Sequence, residues 1–427
     1  MAIFIRSTWA LSHPIAKRGL QVLRTLTLAA LLLPAITCAS DWPTYRHDAR
    51  RSGVSDDQLN FPLTPAWRHM GGTPRQAWSG PAKWDAYSGN AGLQSMRNFD
   101  PCYFVTIAGG LVYYGSSHDN AVHALDAETG KERWVFFTEG PVRLPPTIHE
   151  ERAFAGSDDG MLYALEADSG QLIWKDRGAP EDRRIPSNAS LISLWPVRTA
   201  PLVTNKALYY TASLTPWESS WLISLDPATG ERRFAQEVGG VTFQGPLLAT
   251  VNTLIAPQGR SAPLLYDVAT GIPAGTIGHA GGVFCLVTEE NELVTGPSSQ
   301  KPKDSQLLLT NAEGAKIATF NDTSRAVIAE GVAYHHTRNA LKALPLGTAG
   351  KSATGWSVEA PTPHELIVCG NAVLIGHEGE VRAYARRDGA LLWKASIPGG
   401  GLVHGLAVAD RTLFVSDSRG GIYAYRP

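Results

Sequence analysis

The chain has 427 residues, of which 44% are hydrophobic and 18% are charged, and its formal net charge at pH 7 is -1. This hydrophobic content is typical of a globular protein with a large core, and it excludes a disordered chain. Proteins that bind nucleic acid usually carry a basic surface, so the near-zero net charge argues against nucleic acid as a partner.

The first 39 residues have the pattern of an export signal. An apolar run at 26–33 is followed by small residues up to Ser40, which predicts a signal peptide over 1–39 that is cleaved after Ala39. The run is too short to cross a bilayer comfortably. The basic residues that precede it are Arg6, Lys17, Arg18 and Arg24. We therefore expect a periplasmic or secreted protein.

Two alternatives to a cleaved signal stay open. The leader before the apolar run is long, so an uncleaved anchor is one of them. Lipidation of Cys38 is the other, although residues 35–37 (AIT) match the usual lipoprotein box poorly. Membrane association would then come only through a partner or through Cys38.

The cysteines point to neither a disulfide framework nor a metal site. Cleavage leaves Cys102, Cys285 and Cys369, an odd number at wide spacing, and no Cys-x-x-Cys pair is present. We expect buried free thiols and no bound metal.

A short pattern recurs along the chain. Each copy begins as an alternating strand, makes a tight turn that ends in glycine, and enters a second strand that ends in an aromatic residue. Glycine supplies the positive φ that such a turn needs. The clearest copies are 122–134 (VHALDAETGKERW), 162–174 (LYALEADSGQLIW), 222–234 (LISLDPATGERRF) and 381–393 (VRAYARRDGALLW).

The copies belong to four-stranded units. Gly170 follows Gly130 by 40 positions, and an inserted loop at 177–195 lengthens the third unit. The eighth unit lacks its last strand, and residues 63–67 (LTPAW) can supply it. We therefore predict one all-β domain over 40–427, an eight-bladed β-propeller of four-stranded antiparallel blades closed by the N-terminal strand. Seven blades or a pair of β-sandwiches are the alternatives.

The repeats, together with the entry segment 41–67, resemble the PQQ-binding-like β-propellers of the quinoprotein-type superfamily. This resemblance implies that the aromatic residue of each repeat packs between neighbouring blades. The fourth and fifth copies lack it, which predicts looser contacts there. The implied blade-docking residues are Trp67, Trp134, Trp174, Phe234 and Trp393.

The same family includes PQQ-dependent alcohol dehydrogenases, outer-membrane assembly lipoproteins that hold partner proteins, and sensor or scaffold domains. Its enzymes carry an adjacent cysteine pair, a calcium or lanthanide site and an aspartate base. This sequence has no adjacent cysteines and no Cys-x-x-Cys-His motif. We therefore expect no catalytic residues and no cofactor, with PQQ possible but not favoured.

Hydrolase motifs are absent from the sequence as well. His335 and His336 are adjacent, and neighbouring side chains on a strand point to opposite faces. We expect one of the two to be buried and the other exposed.

The central hub is the remaining candidate site. The first strand of each unit should be innermost, and its starting residues should face the mouth of the hub. Arginine, histidine and aromatic side chains there suit a small anionic or carbohydrate-like ligand, although they could equally be ion-pair partners within the ring. The candidate ligand- or partner-binding residues are Arg143, Arg183, Arg184, Trp195, Arg198, Gln244, Phe284, Arg325, His364 and His404.

These observations favour an exported, monomeric, non-catalytic β-propeller that binds a partner protein or a small ligand through one face of the ring. The alternatives are a PQQ-dependent dehydrogenase-like oxidoreductase and an outer-membrane protein assembly scaffold.

Overall fold

The computed structural model describes residues 40–77, 99–187, 190–204, 207–259, 261–277, 281–296, 306–347 and 355–427. Within these ranges the regular elements are all β-strands, and they form eight four-stranded antiparallel sheets and one separate hairpin. No helix in this part of the chain is long and apolar enough to cross a bilayer. The predicted signal peptide at 1–39, with Cys38, lies outside the described residues.

The sheets are the blades of a propeller, and we number them along the chain. Their strands, with the hairpin β10–β11, are as follows: blade 1, β2 (Val105–Ala108), β3 (Leu111–Ser116), β4 (Ala121–Asp126) and β5 (Glu132–Phe137); blade 2, β6 (Thr147–His149), β7 (Arg152–Gly156), β8 (Met161–Glu166) and β9 (Leu172–Arg177); the hairpin, β10 (Arg184–Ser187) and β11 (Ser190–Ser193); blade 3, β12 (Leu202–Val203), β13 (Leu208–Ala212), β14 (Ser220–Leu225) and β15 (Arg232–Val238); blade 4, β16 (Leu248–Ala249), β17 (Thr253–Gln258), β18 (Ser261–Asp267) and β19 (Pro273–Thr276); blade 5, β20 (Phe284–Val287), β21 (Leu293–Gly296), β22 (Gln306–Thr310) and β23 (Lys316–Asn321); blade 6, β24 (Ala326–Ala329), β25 (Val332–Thr337), β26 (Ala340–Pro345) and β27 (Trp356–Glu359); blade 7, β28 (Glu365–Val368), β29 (Ala372–His377), β30 (Glu380–Ala385) and β31 (Leu391–Ser396); blade 8, β32 (Val403–Ala409), β33 (Thr412–Asp417), β34 (Gly421–Arg426) and β1 (Thr64–Met70).

The N-terminal strand closes the ring, as predicted. β1 pairs antiparallel with β34, which places Trp67 opposite Ala424 and Arg68 opposite Tyr423. The strand begins one residue later than predicted and extends to Met70. The carbonyl oxygen of Leu63 instead accepts a hydrogen bond from Trp393 Nε1 at 2.9 Å. The prediction of eight closed antiparallel blades is thereby confirmed.

The first strand of each blade lies at the centre of the ring. β2 contacts β6 and β32, β28 contacts β24 and β32, and β16 contacts β20, so first strands of neighbouring blades lie against one another. We call the space inside these strands the hub.

An aromatic side chain docks each of several blades onto the next. The Trp134 ring covers Gly170 of blade 2 so closely that a Cβ there would lie 2.5 Å from the ring. The Trp134 Nε1 also donates to the Ala167 carbonyl oxygen at 3.0 Å. The other ring and glycine pairs are Trp67 with Gly130, Trp174 with Gly230, Phe234 with Gly271, and Trp356 with Gly389. These glycines have positive φ, so the turn and the docking both require glycine.

Blade 5 lacks this aromatic contact on both sides. The residue four positions after the turn glycine is Gly275 in blade 4 and Ala318 in blade 5. Accordingly, no atom lies within 4 Å of a Cβ built at Gly314, the turn glycine of blade 5. A flat ring at such a junction buries roughly 150–250 Å². On the blade 6 side of blade 5, Phe320 packs instead against His335, with the two ring centroids 5.1 Å apart.

The expectation for the histidine pair was wrong, because His335 and His336 are both buried. They point to opposite faces of blade 6, but each face is covered. Thr323 Oγ1 lies 3.3 Å from His335 Nδ1, and the Ala360 carbonyl oxygen lies 2.9 Å from His336 Nε2. Burial lowers the pKa of both imidazoles, that of His335 to about 4.

Candidate functional site

The segment at 40–60 covers one end of the hub, and we call it the plug. It makes main-chain hydrogen bonds to the innermost strands close to where those strands end. Trp42 exchanges two bonds of 2.8 Å with Ile107 of β2. Further bonds run from the amides of Ile148, Ala249, Val287 and Val368 to the carbonyl oxygens of Pro43, Ala49, Arg50 and Gly53. One short segment thus contacts five blades at what we call the plugged end.

Two arginines hold the plug in place. Arg51 is fully buried and donates to the carbonyl oxygens of Leu247 at 2.7 Å, Tyr45 at 3.0 Å and Pro201 at 3.2 Å. Burial lowers the pKa of its guanidinium to about 10. Arg46 forms a buried ion pair with Glu365, which lies at the start of β28. Sequence analysis identified neither arginine nor Glu365, because the partners that tie the plug to the blades are 150 or more positions away.

The starts of the innermost strands lie at the opposite end of the hub. Arg143 and Arg198 are there, but both are buried in ion pairs. Arg143 Nε lies 2.7 Å from Asp158 Oδ2, and Arg198 Nε lies 2.7 Å from Asp158 Oδ1. Arg143 Nη1 also lies 2.6 Å from Asp100 Oδ2. This arrangement matches the alternative of ion pairs within the ring.

The electrostatics of this network follow from burial and from the arginines. Burial raises the pKa of Asp100 to about 6, although Arg143 opposes the shift. Although burial also acts on Asp158, two guanidiniums hold the pKa of that carboxyl below its usual value. The acidic turn at 158–160 was the sequence signal that could have indicated partners for the two arginines.

Four candidates from blades 5 to 8 form a second group near the hub. The guanidinium of Arg325 lies 5.5 Å from the ring centroid of Phe284, and that of Arg46 lies 5.2 Å from the same ring. The His364 and His404 rings lie 4.6 Å apart. No carboxylate among the described residues lies within ion-pair distance of Arg325, whose Nη1 donates to the Ser324 carbonyl oxygen at 2.9 Å.

The two histidines are neutral at pH 7. Burial, with the nearby His364 and Arg325, lowers the pKa of His404 to about 3. Burial also lowers the pKa of His364. Arg325 is therefore the cation of this group that lacks a carboxylate partner, while the imidazoles offer neutral donors and acceptors.

The remaining candidates lie apart from this group. Gln244 forms an isolated parallel β-bridge with Gln258 of blade 4. Arg183 stacks over Trp195 at 5.6 Å, and the Trp195 Nε1 donates to the Ser219 carbonyl oxygen at 2.7 Å. Arg184 pairs with Glu139 at 2.6 Å. The arginines of the insertion thus contact both the insertion itself and acids of the adjoining blades.

Cys102, Cys285 and Cys369 are free and buried. Burial raises the pKa of all three thiols, that of Cys369 to about 11. Within the described ranges no three His, Cys, Asp or Glu side chains converge to hold a metal ion.

Comparison with known proteins gives partial matches in sequence. A 1-butanol dehydrogenase (cytochrome c) from Thauera butanivorans is 33% identical over 75 residues, which cover 15% of this chain and 11% of that protein. A quinoprotein ethanol dehydrogenase from Pseudomonas aeruginosa is 26% identical over 128 residues, which cover 28% of this chain and 17% of that protein. The chain thus spans less than a fifth of the length of these relatives.

The match in structure is wider, and it shows the fold. Quinohemoprotein alcohol dehydrogenase from Comamonas testosteroni superposes with a TM-score of 0.61 at 14% identity, covering 90% of this chain and 80% of that chain. A family model described as outer membrane protein assembly factor BamB matches residues 84–254 and 377–427, just over half of the chain. The protein therefore belongs to this family of PQQ-like β-propeller repeats.

Proposed function

We propose that the protein is an exported, non-catalytic β-propeller that binds a partner protein or a small anionic ligand at the end of the hub opposite the plug. The observation that carries this proposal is the asymmetry of the hub. The main chain of 40–60 bonds to the strands at one end, while Arg325, Phe284, His364 and His404 lie at the starts of strands towards the other end. The Arg46 side chain of the plug also reaches this second end, where it contacts Phe284 and Glu365. A functional surface at that end uses side chains from four blades.

The charges favour a ligand with few negative groups. Arg46 is neutralised by Glu365, and both imidazoles are neutral at pH 7, so Arg325 is left to bind an anion. PQQ carries several carboxylates, and this donor set suits it poorly. The missing cysteine pair and haem motif in the sequence also support a role without redox catalysis.

Reconstitution tests the catalytic alternative. Purified protein is mixed with PQQ and calcium and assayed for oxidation of ethanol and 1-butanol with a dye acceptor. We expect no activity above a control without protein and no saturable change in the PQQ spectrum. Turnover that disappears in Arg325→Gln would replace this proposal with the dehydrogenase-like alternative.

The binding role is tested by cross-linking in cells of the native host. A photoreactive residue at position 325 should capture a partner, or the purified protein should carry a bound anion that native mass spectrometry detects. The matched control is the exposed Arg133, which pairs with Asp126 on the outside of blade 1. Equal capture from both positions, with no bound anion, would count against a site at the hub.

The family description favours an outer-membrane protein assembly scaffold as the second candidate. Fractionation separates the two: a pool that stays with outer membranes supports the scaffold, and a wholly soluble periplasmic pool counts against it. Export itself is tested by sequencing the N-terminus of the mature protein. We expect Ser40 as its first residue, whereas a retained leader would point to the anchor alternative.

A further inference from the structure

A polar cleft opens between blades 5 and 6, far along the ring from the insertion at 177–195. It encloses about 480 Å³. Asp322, just after β23, lies on its blade 5 side, and the turn at 337–340 with strands β26 and β27 lies on the other. This is one of the two sides on which blade 5 lacks a docking aromatic.

Lys342 in this cleft occupies a position that can be compared across blades. It precedes Ala343, which lies opposite the docking residue Trp356. The equivalent residues in blades 1, 2 and 7 precede the alanines opposite Trp134, Trp174 and Trp393. They are His123, Tyr163 and Arg382.

Each of these equivalents contacts a carboxylate of its own blade. His123 Nε2 lies 3.0 Å from Asp119 Oδ2, and the Tyr163 hydroxyl donates to Asp159 Oδ2 at 2.7 Å. Arg382 pairs with Glu380. A polar side chain at this position is thus supplied with a negative partner in all three blades.

Lys342 differs from them. It is half-buried, and it makes no hydrogen bond or ion pair with any of the described residues. In blades 1 and 2 the acidic partner lies four positions earlier, and in blade 6 that position is Arg338, which pairs with Asp322 of blade 5 at 3.2 Å. Blade 6 therefore has an arginine, Arg338, where blades 1 and 2 have an aspartate. The ammonium group of Lys342 beside it keeps three hydrogen-bond donors without an acidic partner of its own blade.

We propose that this cleft is a binding site for a small monocarboxylate, whose carboxylate takes the place that Asp119 and Asp159 hold in blades 1 and 2. Lys342 supplies the positive charge. Ser357 lies directly opposite Lys342 on the same face of β26–β27, so its hydroxyl can donate to the same group.

The acids around the cleft limit the charge of the ligand. Glu359 lies opposite Ala340, on the same face as Lys342 and diagonal to it, and Asp322 lies across the junction. Because Asp322 is paired with Arg338, Glu359 is the carboxylate that repels a polyanion such as phosphate, and it favours a ligand that also carries an ammonium group. A free amino acid or a short peptide has this combination.

The test uses the full protein with its lysines reductively methylated with carbon-13, a treatment that keeps their charge. Glycylglycine is titrated while the Lys342 signal is followed by NMR and assigned with Lys342→Gln. We expect a saturable shift with glycylglycine and none with glycylglycinamide, which lacks the carboxylate. Arg338→Asp restores the acid of blades 1 and 2. It should weaken binding by about tenfold or more, because the new carboxylate forms an ion pair with Lys342 and competes with the ligand.

Lys394 is the matched control, since it lies on the outer strand of blade 7, directly opposite Arg382 across β30–β31. Its signal should not move, and Lys394→Gln should bind normally. Circular dichroism and melting of each variant separate loss of the site from loss of the fold. The proposal is overturned if the Lys342 signal does not shift, or shifts equally with the amide or in Arg338→Asp.

Discussion

Arg51 shows how a single side chain can anchor a segment that contacts most of the ring. Its guanidinium is fully buried and is satisfied by main-chain carbonyl oxygens and by Thr44. Such a group is costly to bury, and its bonds are costly to break, because the carbonyl oxygens are then left without donors.

We therefore predict that Arg51→Met lowers the free energy of unfolding by about 3 kcal/mol or more. The neighbouring Arg50 is the control, since it is partly exposed and pairs with Asp48. Arg50→Met should cost less than about 1 kcal/mol. Denaturant melts followed by tryptophan fluorescence compare the two, and equal losses would mean that Arg51 does not anchor the plug.

The lowered pKa of His404 predicts how the stability of the protein changes with pH. Its pKa in the folded protein is about 3, below the value of about 6.5 in an unfolded chain. The unfolded state therefore binds more protons below pH 6.5, and stability falls as the pH decreases from 6.5 towards 3. His404→Gln should make this fall shallower. Melting temperatures of both proteins between pH 7 and pH 4 test this, and parallel curves would contradict it.

At the scale of strands and blades, the docking aromatics determine which junctions are strong. Trp67 covers Gly130 and donates from Nε1 to the Ala127 carbonyl oxygen at 2.9 Å, so it joins blade 8 to blade 1. Blade 5, by contrast, is held on neither side by such a ring. Local opening should therefore begin there, since no ring on a turn glycine resists it.

We predict that Trp67→Ala lowers stability by about 3 kcal/mol or more. The exposed Trp217, whose side chain is 80% accessible, is the control, and its replacement by alanine should change stability little. Calorimetric melting measures both. A loss for Trp67→Ala no larger than that for Trp217→Ala would show that the ring does not fasten the junction.

The sequence was informative where structure is local. The turn glycines and the aromatic residues four positions later are read from short patterns, and several of these rings lie on a turn glycine of the next blade. The acidic turn at Asp158 is visible in the sequence, but the pairing of Asp158 and of Glu365 could not be assigned in this way. Their partners, Arg143, Arg198 and Arg46, are set by which strand starts meet in the ring, and no short pattern encodes that.

At the scale of the whole molecule, closure and plugging are both performed by residues before Met70. β1 completes blade 8, while 40–60 bonds to the innermost strands of five other blades. Closure was predictable because the last repeat lacks its fourth strand, and a single strand outside any repeat lies near the N-terminus. The plug was not, because it has no period and its bonds are main-chain bonds that any residue could make.

Deleting 41–67 should therefore disturb the protein more than any single substitution considered above. We expect a large drop in melting temperature and rapid proteolysis across several blades. Blade 8 loses its outer strand, and the innermost strands lose their hydrogen bonds to the plug. Limited proteolysis with mass spectrometry maps the effect. A truncated protein that melts like the full chain would overturn the account of closure.

The position at which the chain enters the ring has a consequence for orientation. The Ser40 carbonyl oxygen accepts a hydrogen bond from the Asp410 amide at 3.2 Å, just beyond the last residue of β32. A lipid or anchor attached ahead of Ser40 would hold the molecule by its plugged end. Arg325 and the paired histidines would then be turned towards the aqueous compartment, where a soluble partner could reach them without approaching the bilayer.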